Sequence, residues 1–234
     1  MVGPTAEASR DPGGGVEMQV GEVLLDTGFV QRWIGEAAAL IHRQRDFLTQ
    51  LDAAIGDADH GVNMDRGFSA ARDGLMSDVG ATPGGMLVQA GTTLVLRVGG
   101  AAGPLYGSAL RRMGESLGEA ERVDGGSLLA ALRAGLDGIQ RLGAAVEGDK
   151  TIVDAYAPAL LALERALRGG RDLATAAERA ATSAEAGARA TVAMQARKGR
   201  ASYLGPRSVG HQDPGATSTT LLFEALAHAV GAPP

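Results

Sequence analysis

Apolar residues in this chain recur at the spacing of an α-helix along almost its whole length, in about eight segments set apart by glycine and proline. No stretch alternates convincingly with the period of a strand. Thr92-Thr93-Leu94-Val95 could pass for one, but no partner strand is visible elsewhere, so it reads as helix. The fold class expected is therefore all-α. Aromatic residues make up only 3% of the chain and alanine is abundant, so the helices must meet through small side chains at close range. A chain of 234 residues suits one large domain.

The first pattern covers residues 27–51, where Phe29, Val30, Trp33, Ile34, Ala37, Leu40, Ile41, Phe47 and Leu51 share a face, with Asp26 or Thr27 as cap. A second helix begins near Val62, and others cover residues 84–98, 104–117, 127–142 and 151–167. Residues 172–197 read as one long alanine-rich helix, roughly 39 Å at the standard rise. Asp213-Pro214-Gly215 supplies an acidic cap and then proline at the first helical position, launching a last helix to about Val230. Residues 1–21, with Pro4, Pro12 and Gly13-Gly14-Gly15, read as a flexible tail or an expression remnant, leaving residues 22–234 as the domain. The lack of cysteine excludes disulfides and thiolate metal sites. No apolar run approaches a membrane span, and the N-terminal stretch lacks the features of a secretory signal, so a cytoplasmic protein without membrane contact is expected. A net charge of -5 argues against general nucleic-acid binding.

Chemistry concentrates in residues 52–68, DAAIGDADHGVNMDRGF. Extended backbone at Asp57-Ala58-Asp59 would point both carboxylates to one side, with Asp52 at the end of the preceding helix. Three converging carboxylates repel one another, and a hard divalent ion such as Mg²⁺ or Ca²⁺ relieves that repulsion. An EF-hand loop begun at Asp57 fails, because Val62 falls where glycine is required and Phe68 where glutamate is. The competing reading is that Asp57 and Asp59 make turn and cap hydrogen bonds. The amide groups that open the second helix, with Gly61, would suit a phosphate, and His60 and Asn63 would border it; a structural turn histidine is the alternative for His60.

Three further connections carry polar or glycine-rich sequence. Gly99-Gly100-Ala101-Ala102-Gly103-Pro104 would let backbone approach a ligand, or be a plain interhelical turn. Residues 143–151 come close to a P-loop, but Asp149 separates Gly148 from Lys150 and a helix, not a strand, precedes them, so that reading fails. Lys150 either faces a phosphate or pairs with Asp149 or Asp154, and surface pairing is the expectation. The cations of residues 197–207 form either an anion-seeking loop or a solvated cluster. Residues 52–63, 99–104, 143–151 and 197–215 fall in alternate connections, which share an end in an up-and-down bundle.

The strings LDAAIGDADHGVNMDRGF, VGGAAGPLYGSAL, GDKT and MQARKGRASYLGPRSVGHQDPGATS, in this order, resemble the nucleotide-binding L subunit of dihydroxyacetone kinases over roughly residues 28–230. The resemblance implies an antiparallel eight-helix barrel with the nucleotide and two Mg²⁺ ions in the loops at one end. It implies that Asp52, Asp57 and Asp59 hold the metal. It implies ADP or ATP contacts from His60, Gly61, Val62, Asn63, Ala101, Ala102, Gly143, Ile152, Arg200, Asp213, Pro214 and Gly215. Ala102 stands where the family commonly has a hydroxyl, and Ile152 where it commonly has methionine. The partners implied are a K subunit carrying dihydroxyacetone, a phosphohistidine donor of the phosphotransferase system that regenerates retained ADP, and in some members a transcription regulator. No segment reads as the K domain, so the chain alone should be inactive towards dihydroxyacetone. The alternatives are an ATP-dependent kinase subunit for dihydroxyacetone or another short ketose, in which this chain would be a piece of a fused enzyme, and a non-catalytic nucleotide-sensing module.

Overall fold

Local hydrogen bonds fix where most of the helices start. In the computed structural model, which describes residues 24–76 and 82–231, α1 (Thr27–Ile55) is capped by Asp26, whose Oδ1 accepts from Phe29 N at 3.0 Å. The tail assigned to residues 1–21 lies outside the described residues. After α2 (His60–Leu75), Thr82 caps α3 (Pro83–Arg97), with Pro83 at its first position. α4 (Ala102–Leu117) has no side-chain cap, whereas Asp124 caps α5 (Gly125–Gly143) through Ser127 N at 2.6 Å. α6 (Val153–Arg168) follows, then Asp172 caps α7 (Leu173–Ala190), and Asp213 caps α8 (Pro214–Gly231) through Ala216 N at 2.7 Å. Each caps by accepting from an amide three residues on, a contact that adjacent sequence alone encodes.

The boundaries depart from the sequence reading where tertiary contacts intervene. α1 runs one turn beyond Leu51 and so contains Asp52, and α2 starts at His60 rather than Val62. α7 stops at Ala190 instead of continuing to Arg197; a short 3-10 turn, Thr191–Ala193, follows it, and further 3-10 turns within Arg200–Ser208, broken by a kink at Gly205, come after. The Lys150 ammonium takes the carbonyls of Thr191 and Met194, and the Thr191 hydroxyl bonds back to Ala188 O, so the backbone is drawn out of the α ladder. Among the described residues the only strand-like pairing is one antiparallel bridge between Leu25 and Val123.

Each helix packs against its successor in chain order, and α8 returns against α1. The closure is tied by Trp33, whose indole Nε1 donates to Leu222 O at 3.0 Å. Small residues set the spacing, as the composition requires. On α7, Ala176, Ala177, Ala180, Ala184 and Ala188 are buried, and a Cβ on Gly187 would lie 2.1 Å from Asp154 O. α3 and α4 touch backbone to backbone: a Cβ on Gly114 would lie 2.3 Å from Gly84 O, and one on Gly91 would lie 2.6 Å from Gly107 O.

Gly114→Ala is therefore expected to destabilise the protein by about 3 kcal/mol in urea unfolding, overpacking outweighing alanine's better helix propensity. On α1, where a Cβ on Gly35 would meet nothing within 4 Å, Gly35→Ala should instead stabilise by about 0.5–1 kcal/mol. Equal effects at the two sites would remove the close-contact explanation. Among the described residues no helix is long and apolar enough to cross a membrane.

Candidate functional site

The α1–α2, α3–α4, α5–α6 and α7–α8 connections all line one cavity of about 710 Å³. Sites for small molecules typically span roughly 300–1,000 Å³, so it has room for a nucleotide. Its walls divide by chemistry. Asp52, Asp57 and Asp59 supply acidic lining, Arg197, Lys198 and Arg200 basic lining, and Ile55, Leu105, Ile139, Leu142 and Ile152 apolar lining.

The three carboxylates converge, each offering an oxygen within 4.8 Å of the others. They do not reach this arrangement through extended backbone: Ala58 has φ +62°, and a left-handed turn brings Asp57 and Asp59 round towards Asp52. Asp52, buried in the last turn of α1, accepts at Oδ2 from Asp59 N at 2.9 Å and His60 N at 3.1 Å. The cap of α2 is thus made by Asp52. Asp59 occupies the N-cap position without a side-chain cap bond, and no backbone amide among the described residues donates to the Asp57 or Asp59 carboxylate. The turn-and-cap role falls to the aspartate for which it was not expected. Oδ1 of Asp52 faces Gly56, where a Cβ would lie 2.0 Å away. An oxygen-only set with two carboxylates free of backbone bonds suits a hard divalent cation that keeps water or phosphate ligands.

His60 lines the cavity, and its Nε2 lies 2.9 Å from Ser218 Oγ, which reaches the buried Tyr106 hydroxyl at 2.8 Å. Burial holds the imidazole below its ordinary pKa, against the raising effect of Asp52 and Asp59, so the ring is neutral at pH 7. Gly61, Val62 and Asn63 do not line the cavity. Gly61 is closed against α1, where a Cβ would lie 2.0 Å from Arg45 O, and Val62 is exposed on the outer face. Asn63 is buried, accepts from Arg66 Nη2 at 2.8 Å and packs under Gly99. At the start of α2, Asp52 already takes the amides of Asp59 and His60. The N-terminus of α4 has no side-chain cap, and Gly99, Gly100, Ala101 and Ala102 line the cavity there.

Gly143, Ile152, Arg200, Asp213, Pro214 and Gly215 all line the cavity, as the sequence reading expected. Arg200 Nη2 reaches Asp57 Oδ2 at 3.1 Å, closing the acidic and basic sides on one another. Burial pushes the Asp213 carboxyl up to about 7; Ala216 N and the Lys150 ammonium pull it down, and Asp154 and Asp52 add to the rise. Lys150 overturns its expectation. It does not pair at the surface but is 1% exposed, with Nζ donating to Thr191 O at 2.8 Å, Met194 O at 3.3 Å and His211 O. Asp149 and Asp154 serve their own turn: Asp154 accepts from Gly148 N and Thr151 N, and Asp149 from Val146 N. The reading from sequence also passed over Gly56, Leu142 and Tyr203. Nothing local marks the last two, whereas the glycine four residues after Asp52 was a usable signal.

A DAK2 domain model matches residues 54–228. The chain is 40% identical over 198 residues to the PEP-dependent dihydroxyacetone kinase, ADP-binding subunit DhaL, of Escherichia coli K12, covering 85% of this chain and 94% of that one. It is 40% identical over 185 residues to a D-erythrulose kinase of Mycolicibacterium smegmatis, spanning 78% of this chain and 32% of that enzyme. The crystal structure of the dihydroxyacetone kinase from C. freundii in complex with AMP-PNP and Mg²⁺ superposes with a TM-score of 0.66 at 23% identity, over 96% of this chain and 38% of that one. That likeness shows a shared fold.

Proposed function

This chain belongs to the DAK2 domain family, and from that premise we propose that it is the nucleotide-binding subunit of a dihydroxyacetone kinase. The reading is of an antiparallel eight-helix barrel with ADP or ATP and two Mg²⁺ ions in the loops at one end. The observation that carries it is the cavity lined together by three carboxylates within 4.8 Å of one another, by Arg200, by the uncapped start of α4 and by apolar side chains.

Asp52, Asp57 and Asp59 would hold the metal, which when bound neutralises phosphate charge and aligns the transferred group. The chain's own groups divide the remaining work. The amides behind Ala101 and Ala102 and the Arg200 guanidinium hold phosphate oxygens, and the methyl at Ala102 leaves that task to the backbone. Ile152, Gly143, Pro214 and Gly215 supply apolar and close-approach surface for the base and sugar. His60, neutral and anchored on Ser218, can exchange a hydrogen bond with the ligand without adding charge. No residue here need form a covalent bond to the substrate, since phosphoryl transfer rests on positioning and charge neutralisation.

The acceptor, dihydroxyacetone, would be presented by a separate K subunit. ADP would be retained and rephosphorylated by a phosphohistidine protein of the phosphotransferase system, a reading supported by the Escherichia coli relative's being named PEP-dependent and ADP-binding. The equal identity to a D-erythrulose kinase supports a second reading, an ATP-dependent kinase unit for a short ketose. A transcription regulator as a further partner belongs to a third, nucleotide-sensing reading.

The nucleotide content of the purified, extensively dialysed protein separates them. About one ADP per chain is expected, since a prosthetic nucleotide must dissociate slowly. An empty protein that binds ATP reversibly with Mg²⁺ would support the ATP-dependent mode, and one that binds neither nucleotide would overturn the kinase reading.

A further inference from the structure

We infer that Lys150 is a positioning residue: its buried ammonium holds the connection between α7 and α8 in the shape that presents Arg200 and residues 213–215 to the nucleotide. The inference rests on the proposed nucleotide site. Its geometry does not. The three carbonyls that Nζ reaches belong to Thr191, Met194 and His211, two at the start and one at the end of that connection. Arg197, Lys198, Arg200 and Tyr203, all on the cavity wall, lie between them. Further bonds pinch the same base: Gly210 N donates to Val192 O at 2.8 Å, Asp213 N to Thr191 Oγ1 at 2.9 Å, and Arg197 N to Asp149 O at 3.0 Å.

An ammonium carries three N–H donors and no acceptor, which matches three converging carbonyls. Among the described residues Lys150 makes no ion pair; Asp213 acts on it only at longer range. Desolvating a charge is costly, and an apolar plug of the same volume would fill the space more cheaply. What the ammonium adds is direction, because it fixes three carbonyls on two sides of a connection that contains no α-helix. The turn that delivers it is itself held. Lys150 has φ +61°, a conformation unfavourable for a residue with a side chain, and Asp154 clamps both flanks by accepting from Gly148 N at 2.5 Å and Thr151 N at 2.7 Å.

Lys150→Met tests this in the full chain, stripped of nucleotide. ADP affinity in the presence of Mg²⁺, by calorimetry, should fall about tenfold, the equivalent of one charge-assisted hydrogen bond. Mn²⁺ binding without nucleotide, followed by electron paramagnetic resonance, should not weaken, because the three aspartates lie on other elements and their tie to the connection, the Arg200–Asp57 ion pair, competes with a bound cation. Trypsin should cut at Arg197, Lys198 and Arg200 faster than in the wild type. The chain has no cysteine, so Lys150→Cys offers one thiol, and aminoethylating it in the unfolded state restores an ammonium at lysine length on refolding. Recovery of ADP affinity by that product supports the assignment. Unchanged ADP affinity and trypsin sensitivity in Lys150→Met, a parallel loss of Mn²⁺ binding, or failure of Lys150→Met to fold would each overturn it. A wild-type chain that binds no nucleotide, with the trypsin difference intact, would remove the nucleotide-site reading and leave the positioning role standing.

Discussion

Replacing Asp57 by alanine is expected to weaken Mg²⁺-dependent nucleotide binding by roughly a hundredfold or more while leaving helix content unchanged. The asymmetry follows from what the carboxylate touches. Its polar contact among the described residues is an ion pair with Arg200 Nη2 at 3.1 Å, and it accepts from no backbone amide, so no helix end depends on it. An exposed ion pair of this kind contributes little to stability. As one of three carboxylates sharing an oxygen-lined point, however, Asp57 supplies charge that neither neighbour can replace. Calorimetric titration of the nucleotide with and without Mg²⁺, alongside circular dichroism, separates the two effects. Unaltered Mg²⁺-dependent affinity in Asp57→Ala would return the three aspartates to a purely structural role.

Asp52 should behave differently, because it has two tasks on one carboxylate. Oδ2 caps α2 through Asp59 N and His60 N, Oδ1 faces Gly56, and one carboxylate oxygen lies within 4.8 Å of those of the other two aspartates. Asp52→Asn keeps an oxygen able to accept both amides but removes the charge. It should therefore unfold within about 0.5 kcal/mol of the wild type, as a cap replaced by another good cap residue does. Asp52→Ala loses the cap as well and should cost about 1–2 kcal/mol. Both variants should lose Mg²⁺-dependent nucleotide binding by roughly a hundredfold, with or without the cap intact. Full metal binding in Asp52→Asn would show that Asp52 is a cap alone. Equal instability of the two variants would show that the carboxylate charge, rather than its hydrogen-bonding oxygen, holds the start of α2.

Several features of the site were legible in residue order for a common reason. The helical period, the caps at Asp26 and Asp213, the proline that opens α8 and the glycines that end α6 are decided by contacts a few residues apart. The trio of aspartates was legible as a group although the extended backbone invoked for it is absent, because spacing so short brings the carboxylates near one another in more than one conformation. Family resemblance then picked out the residues from Gly143 to Gly215 that do meet in the cavity.

What adjacent sequence could not decide is which face of each helix start is already occupied. Gly61 and Asn63 belong to the same string as the aspartates. Yet Gly61 is closed against Arg45 and Asn63 is turned beneath Gly99, because the close approach of α1 to α2, and of α2 to the α3–α4 turn, fixes where those residues point. Lys150 is the sharpest case: beside Asp149 it reads as a surface ion pair, while its three acceptors lie 41 to 61 residues further along the chain. The sequence by itself determined an all-helical chain, the starts of most helices, an acidic turn and a basic connection. Only the tertiary structure decided that Asp52 caps the next helix, that Lys150 is buried under the cavity wall and that four connections share one space. The reason is physical: a side chain's local bonds are set by neighbours within a few residues, whereas its burial and its distant partners exist only once the helices have packed.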